Sequence, residues 1–186
     1  MSRSARGILA WETTLDPDAH ARLREIGHAD LLIGIPSYRN GRTVAEVLRA
    51  IAEGIALYFP NKRVVLMNAD GGSSDNTLRC FSDTQVTANV EKLVTTYVGP
   101  LGKGTAIRAI FEAADVLEVP ACMVFEARAP GITPEWLPNL ARPVLEGNSE
   151  LAVACYQRNA YAASLTDNLV YPFLRMFFVT DLREPL

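Results

Sequence analysis

The sequence predicts an α/β fold in which a mostly parallel sheet is covered by helices on both faces. Short apolar runs alternate along the chain with longer segments whose apolar residues recur at helical spacing. Such alternation is typical of parallel strands joined by helices, because each connecting helix packs back onto the sheet. The chain has 186 residues, of which 49% are hydrophobic and 21% charged, and this is enough for one domain with a buried core.

Five apolar runs, each bounded by turn residues, are predicted as strands. These runs cover residues 31–36, 63–68, 92–98, 121–125 and 151–156. Amphipathic segments are predicted as helices over residues 17–26, 43–57, 105–117, 133–145 and 166–178. A further short helix is predicted to begin at about residue 74. Thr43 with Glu46 has the pattern of a capping box, and Thr133-Pro134 has that of an N-cap followed by proline at the first helical position.

Charge and cysteine content argue against several classes of protein. The formal net charge is −3 and no long basic run occurs, which disfavours a nucleic-acid binder but allows a local basic pocket for phosphates. Cys80, Cys122 and Cys155 lack C-x-x-C spacing, so we expect buried free thiols rather than a zinc site. Neither a signal peptide nor a membrane span is predicted, and we expect a cytoplasmic protein.

Candidate binding residues follow the predicted strands, where a parallel sheet places its ligands. The segment 36–41 follows the first strand, Asp70-Gly71-Gly72 the second, Gly102-Lys103-Gly104 the third and Glu126-Ala127-Arg128 the fourth. We expect these four segments to converge at one edge of the sheet.

Asp70 and Lys103 each have two interpretations. The Asp70 carboxylate can accept hydrogen bonds from a base or a ribose hydroxyl, or it can shape a turn. The Lys103 ammonium can meet a phosphate beside glycines that admit a ligand, or it can be a solvated side chain. The spacing around Lys103 is not that of a P-loop, and no G-x-G-x-x-G follows the first strand, so a nicotinamide-binding domain is disfavoured.

Taken together, these motifs resemble those of GT-A-fold glycosyltransferases of the family 2 type. Residues 33–40 (IGIPSYRN) are similar to the opening strand and loop, with Gly41 in place of the usual acid. Residues 69–77 (ADGGSSDNT) are similar to the D-G-G-S-x-D-x-T segment, and residues 102–104 fall at the G-K-G loop. The resemblance covers about residues 30–186. It implies a nucleotide-sugar site that contains Pro36, Tyr38, Asn40, Asp70, Gly71, Lys103, Glu126 and Arg128.

Later motifs are nearest to those of the glucosyl- and mannosyl-3-phosphoglycerate synthases and mannosylglycerate synthase. Residues 133–136 resemble a T-P-E-[FW] helix start, residues 156–158 a Y-x-R motif, and Thr166 with Pro172 a V-T-E-L-x-x-x-P helix. The resemblance implies transfer of a hexose from a nucleotide diphosphate sugar to a small acidic acceptor such as 3-phosphoglycerate or glycerate. It also implies that Arg158 and Thr166 face the acceptor.

The fourth strand departs from the resembled enzymes where they hold their metal. A D-x-D triplet there binds Mg²⁺ or Mn²⁺ against the diphosphate, whereas this chain has Glu126-Ala127-Arg128. Glu126 is the candidate metal ligand, and Arg128 should repel a cation. Either Arg128 supplies the positive charge in place of the metal, or the chain is a catalytically degenerate nucleotide-sugar-binding module. Arg128 can also be an ordinary surface residue of a loop.

The domain division expected from the sequence is an N-terminal extension at 1–28 and a GT-A nucleotide-sugar-binding domain at 29–186. The resemblance implies that this domain is the N-terminal half of the fold, without the C-terminal part. The apolar stretch 169–179 would then expose surface that is normally covered, which predicts either a homodimer through this helix or poor solubility. The sequence leaves the nucleotide, the sugar, the acceptor and the stereochemical outcome open.

Overall fold

Apolar runs form parallel strands and the amphipathic segments between them form helices, as the periodicities predict. The computed structural model describes residues 13–154, 169 and 171–178. Its strands are β1 (Leu31–Ser37), β2 (Val64–Asp70), β3 (Val90–Thr96) and β4 (Cys122–Val124). Its helices are α1 (Pro17–Ile26), α2 (Val44–Tyr58), α3 (Thr77–Asp83), α4 (Lys103–Val116), α5 (Trp136–Leu145) and α6 (Tyr171–Phe178). A boundary between two units follows Ala152, so that α6 belongs to the second unit.

The strands of the first unit form one sheet in the order β3-β2-β1-β4, and all its pairs are parallel. The predicted α/β fold with a parallel sheet is therefore confirmed. Helices α2 and α3 connect adjacent strands, whereas α4 carries the chain from β3 at one edge to β4 on the other side of β1. The strand order thus reverses at β1, and sheets of this kind open a crevice beyond their carboxyl ends at such a point.

Two apolar clusters cover the two faces of the sheet. Along β1, the side chains of Leu31, Ile33 and Ile35 pack in a cluster with α2, α3 and α5. Leu32 belongs to the other cluster, which includes residues of α1 and α4, because successive side chains of a strand point to opposite faces. Strand β2 is buried along its whole length, as expected of a central strand covered on both sides.

The described part of the N-terminal segment packs with the rest of the first unit. Leu23 of α1 is fully buried in the cluster that contains α4. The Glu112 carboxylate of α4 accepts hydrogen bonds from Thr13 Oγ1 and from the Thr14 backbone N–H, both at 2.8 Å. The Thr14 carbonyl accepts from the Val98 N–H at 2.9 Å, just beyond β3. Residues 13–28, which the sequence set apart as an extension, therefore help to cover the sheet.

Three helix starts differ from the sequence predictions. The capping box predicted at Thr43 is wrong: its hydroxyl donates to the Ala127 carbonyl at 2.8 Å and makes no cap bond. Thr133 and Pro134 precede α5 rather than open it, and the N–H of Trp136, its first residue, donates to the Thr133 carbonyl at 3.1 Å. The segment predicted to be helical from residue 74 becomes α3 only at Thr77.

The predicted fifth strand is wrong for its described part. Residues 151–154 form no strand, and they lie where the chain passes from the first unit to the second. Residues 155 and 156 lie outside the described residues. A short apolar run has the composition of a strand whether or not a neighbouring strand is available to pair with it, which explains the error.

Helix α6 confirms residues 171–178 of the final predicted helix. Within it, the rings of Phe173 and Phe177 have centroids 4.6 Å apart, and Arg175 Nη1 donates to Tyr171 Oη at 3.1 Å. The homodimer through this helix stays a prediction. None of the helices in the described ranges is both long and apolar enough to cross a bilayer.

Two cysteines lie in the described part of the chain, and both carry free thiols. Cys80 and Cys122 are partly buried, and burial raises the pKa of the Cys122 thiol to about 12. A thiol in such surroundings is inert, in keeping with a structural role.

Gly34 permits close contact between β1 and α4, which gives a first prediction. A Cβ atom at Gly34 would lie 2.3 Å from Ile110 Cγ2, far inside van der Waals contact. We expect Gly34→Ala to lower the free energy of unfolding by roughly 1–3 kcal/mol, measured by urea denaturation. The cost should shrink in an Ile110→Ala background, and an equal cost in both backgrounds would contradict the contact. Gly104→Ala is the control, because its Cβ would meet nothing within 4 Å.

Glu112 predicts a dependence of stability on pH. Burial raises the pKa of its carboxyl, but hydrogen bonds from Thr13, Thr14 and Arg108 outweigh burial and bring the pKa below the ordinary value of 4.5. A carboxyl whose pKa is lowered by folding stabilises the protein above its unfolded pKa and loses this effect as the pH falls through the folded value. We therefore expect the free energy of unfolding to fall more steeply below pH 4.5 in the wild type than in Glu112→Gln. The free energy of unfolding is measured by urea denaturation at a series of pH values. The same dependence on pH in both proteins would contradict this assignment.

Candidate functional site

A cavity of about 440 Å³ opens at the carboxyl edge of the sheet, where the strand order reverses. Segments that follow β1, β3 and β4 line it, together with the first turns of α4. The lining residues are Pro36, Ser37, Tyr38, Asn40, Tyr97, Leu101, Gly102, Lys103, Ala106, Glu126, Ala127 and Arg128. The structure therefore brings together most of the residues that the sequence proposed, and it leaves Asp70 and Gly71 outside the cavity wall.

Asp70 ends β2 and is fully buried. Its Oδ1 accepts hydrogen bonds from Ser37 Oγ at 2.7 Å and from Ser73 Oγ at 2.6 Å. Its Oδ2 accepts from the backbone N–H groups of Gly72 at 2.8 Å and Ser73 at 2.6 Å. Because four donors surround the carboxylate, this arrangement supports the interpretation in which Asp70 shapes the turn. Its predicted contact with a base or ribose stays a prediction.

The loop after β1 has its backbone N–H groups bonded by side chains. The Tyr38 N–H donates to Asn40 Oδ1 at 2.9 Å, and the Arg39 N–H donates to Ser73 Oγ at 2.8 Å. Arg39 has a φ of 55°, a backbone conformation that residues with a Cβ rarely adopt, so the bond to Ser73 helps to hold it. The Arg39 guanidinium lies 5.2 Å from the centroid of the Tyr38 ring, within the range of a cation–π contact.

Asp75 and Thr77 hold the far end of the same loop. The Asn40 N–H donates to Thr77 Oγ1 at 2.8 Å, and the Gly41 N–H donates to Asp75 Oδ2 at 3.0 Å. Hydrogen bonds from Thr77 and Gly41 lower the pKa of the Asp75 carboxyl. Asp75 Oδ1 also accepts from the N–H of Thr77, the first residue of α3, where a carboxylate interacts favourably with the helix dipole. The segment after β2 therefore clamps the loop that carries Tyr38.

Gly71 lies between two tyrosines of the cavity wall. A Cβ at Gly71 would lie 3.0 Å from Tyr97 Oη and 3.2 Å from Tyr38 Cδ2, so a glycine suits this position best. Tyr97 Oη accepts a hydrogen bond from the Gly102 N–H at 3.0 Å, which ties the loop after β3 to the same wall. The sequence analysis did not select Tyr97, although its place at the end of a predicted strand was a usable signal.

Positive charge predominates on the cavity wall. Its charged residues are Lys103, Arg128 and Glu126, in a chain whose net charge is −3. Lys103 Nζ lies 2.5 Å from Glu126 Oε1, and both side chains are about half exposed. Arg128 is exposed and forms no ion pair with any described residue. Lys103 also begins α4, so the positive end of that helix dipole lies at the cavity.

The cavity wall offers a divalent metal one carboxylate, that of Glu126, where D-x-D would offer two acids. Within the described ranges, no group of three or more His, Cys, Asp or Glu residues could hold a metal ion. Glu126 is engaged by Lys103, and Arg128 follows two positions later. Two cations beside a single carboxylate disfavour a dication and favour an anion. Glu126 as a metal ligand stays a prediction, and the proposed acceptor residues Arg158 and Thr166 lie outside the described residues.

Comparison with known proteins supports this fold. No protein-family profile and no curated protein matches the sequence. Glucosyl-3-phosphoglycerate synthase from Mycobacterium tuberculosis, solved with Mn²⁺, UDP and glucosyl-3-phosphoglycerate, is similar with a TM-score of 0.57 and 19% identity, over 94% of this chain and 56% of that chain. A structure of the same enzyme with phosphoglyceric acid is similar with a TM-score of 0.57 and 17% identity, over 96% of this chain and 57% of that chain.

Mannosyl-3-phosphoglycerate synthase from Rubrobacter xylanophilus is similar with a TM-score of 0.59 and 19% identity, over 91% of this chain and 56% of that chain. The predicted GT-A glycosyltransferase fold is thereby confirmed. The chain spans a little more than half the length of each of these enzymes.

The four hydrogen bonds to Asp70 give a prediction for the rim of the cavity. In Asp70→Asn, an amide N–H₂ replaces one acceptor oxygen and faces donors in a buried space. We expect the free energy of unfolding to fall by roughly 1–3 kcal/mol. Proteolysis in the loop after β1 should accelerate, because Ser73 links Asp70 to that loop. Asp115→Asn, which changes an exposed carboxylate of α4, is the control, and equal effects of both variants would contradict this account.

Proposed function

We propose that this chain is the nucleotide-sugar-binding part of a hexosyltransferase whose acceptor is a small acid such as 3-phosphoglycerate or glycerate. The observation that carries the proposal is one cavity, at the reversal of the strand order, that combines an exposed aromatic ring with an excess of positive charge. A nucleotide diphosphate sugar needs both features, because it joins a flat base to an anionic diphosphate.

The base end of such a ligand suits the Tyr38 side of the cavity. Tyr38 is 49% exposed, and the exposed side chain of Leu101 and the ring of Pro36 add apolar surface to the same wall. An aromatic ring held on a clamped loop offers a face on which a planar base can stack. Stacking of this kind accepts both uracil and guanine, so it does not decide between a UDP-sugar and a GDP-sugar.

The diphosphate end of the ligand suits the side of the cavity that Lys103 and Arg128 line. During hexosyl transfer the bond between the sugar C1 and a diphosphate oxygen breaks, and the oxygen of an acceptor hydroxyl bonds to C1 and releases its proton to solvent. The departing nucleoside diphosphate gains negative charge. Cations fixed beside that oxygen stabilise the charge as it develops. Lys103 begins α4, whose first backbone N–H groups add partial positive charge at the same place.

The proposal of an acidic acceptor rests on the sequence resemblance and on the two synthases to which the fold is similar, both of which are named for 3-phosphoglycerate products.

A second candidate function is a nucleotide-sugar-binding module without transferase activity. The Glu126-Ala127-Arg128 triplet favours it, because this segment lacks the second acid of D-x-D.

Nucleotide binding gives the next prediction. Calorimetric titration of the chain with UDP and with GDP should show saturable binding of at least one of them. Tyr38→Ala should weaken it by about 5- to 100-fold, the range expected for the loss of one base-stacking contact. Phe111→Ala removes an exposed aromatic ring of α4 that does not line the cavity, and should leave the affinity unchanged.

Turnover separates the two candidate functions. The full-length gene product is incubated with UDP- or GDP-hexose and with 3-phosphoglycerate or glycerate, in EDTA, Mg²⁺ or Mn²⁺, and glycosylated product is measured by mass spectrometry. Product would support the transferase, and nucleotide binding without product would support the binding module. If wild-type protein bound neither nucleotide in any of these buffers, both candidates would be wrong.

A further inference from the structure

We infer that the cavity binds the diphosphate of its ligand without a divalent metal, and that the ligand replaces Glu126 as the partner of Lys103. This inference rests on the proposed function and deepens it. Glu126 is then an internal competitor of the ligand rather than a metal ligand, so its removal should strengthen binding.

The geometry of the ion pair is the first support. Lys103 Nζ and Glu126 Oε1 are 2.5 Å apart, although one residue begins α4 and the other follows β4. The pair therefore joins two separate segments of the cavity wall. Both side chains keep substantial exposure, 48% for Lys103 and 62% for Glu126, so a ligand in the cavity can reach the ammonium.

The strength of the pair is the second support. Exposed ion pairs contribute little because water and salt screen them and two flexible side chains must be ordered. A diphosphate carries more negative charge than one carboxylate and presents several acceptor oxygens, so it should compete successfully for the ammonium. Arg128 forms no ion pair with any described residue and adds a cation on the same wall.

The charge pattern is the third support, because it opposes a metal. A divalent ion at Glu126 would share that carboxylate with the Lys103 ammonium, with Arg128 on the same wall and no second carboxylate on the described wall. Both cations would repel a dication at that position. The cations already present can neutralise the diphosphate, which is the task that a metal performs elsewhere.

The test compares Glu126→Gln with wild type by calorimetric titration of UDP and GDP, in EDTA and in Mn²⁺. We expect Glu126→Gln to bind about two- to five-fold more tightly in EDTA, the gain from freeing an exposed ion-paired ammonium. Lys103→Met should weaken binding, and in that background Glu126→Gln should lose its effect. Mn²⁺ should leave the wild-type affinity unchanged. Glu53→Gln makes the same charge change on an exposed residue of α2 outside the cavity and should have no effect.

Opposite results would overturn the inference. If wild type bound nucleotide only with Mn²⁺ and Glu126→Gln abolished that binding, Glu126 would be a metal ligand, and the proposed function would stand without the inference. An equal gain in Glu126→Gln and Glu53→Gln would reduce the effect to net charge and would also overturn it. Absence of nucleotide binding by wild type under both conditions would remove the proposed function itself.

Discussion

A buried carboxylate at the end of β2 fixes the rim of the cavity. Asp70 is tolerated there because Ser37, Gly72 and Ser73 donate four hydrogen bonds to it, and a buried carboxylate without such partners would be strongly destabilising. Ser73 then accepts the Arg39 N–H, so the loop after β1 takes its position from the same cluster. The hydrogen bonds that the buried Asp70 carboxylate needs thereby help to position the loop that carries the Tyr38 ring.

The charged wall of the cavity, which carries Lys103 and Glu126, is formed by the crossing of the chain from β3 to β4. Helix α4 crosses from β3 to the far side of β1, so residues that follow β3 and β4 meet at one cavity although 23 positions separate Lys103 from Glu126. Gly34 lets this helix approach the sheet closely at Ile110. Charged side chains are thus brought together by topology, while the aromatic wall is held by local hydrogen bonds.

This division explains which features could be predicted from the sequence. Periodicity predicted α1 with its observed ends and placed β1 to β4, because local patterns of apolar residues govern those elements. It failed at Thr43, whose hydroxyl bonds the distant Ala127 carbonyl, and at residues 151–154. The motifs located most of the cavity wall. They could not predict that Lys103 pairs with Glu126, or which of two roles Asp70 has, because both depend on contacts between loops that are remote in sequence.

The clamped loop after β1 has a consequence for the thermodynamics of binding. Each backbone N–H from residue 38 to residue 41 already has a partner within the protein. Ordering a flexible loop on association normally costs conformational entropy, and here that cost is met when the chain folds. The same saturation leaves no free backbone donor between residues 38 and 41 for an anion. The backbone of this segment therefore contributes shape and the position of the Tyr38 ring, and discrimination between anions falls to side chains on the wall.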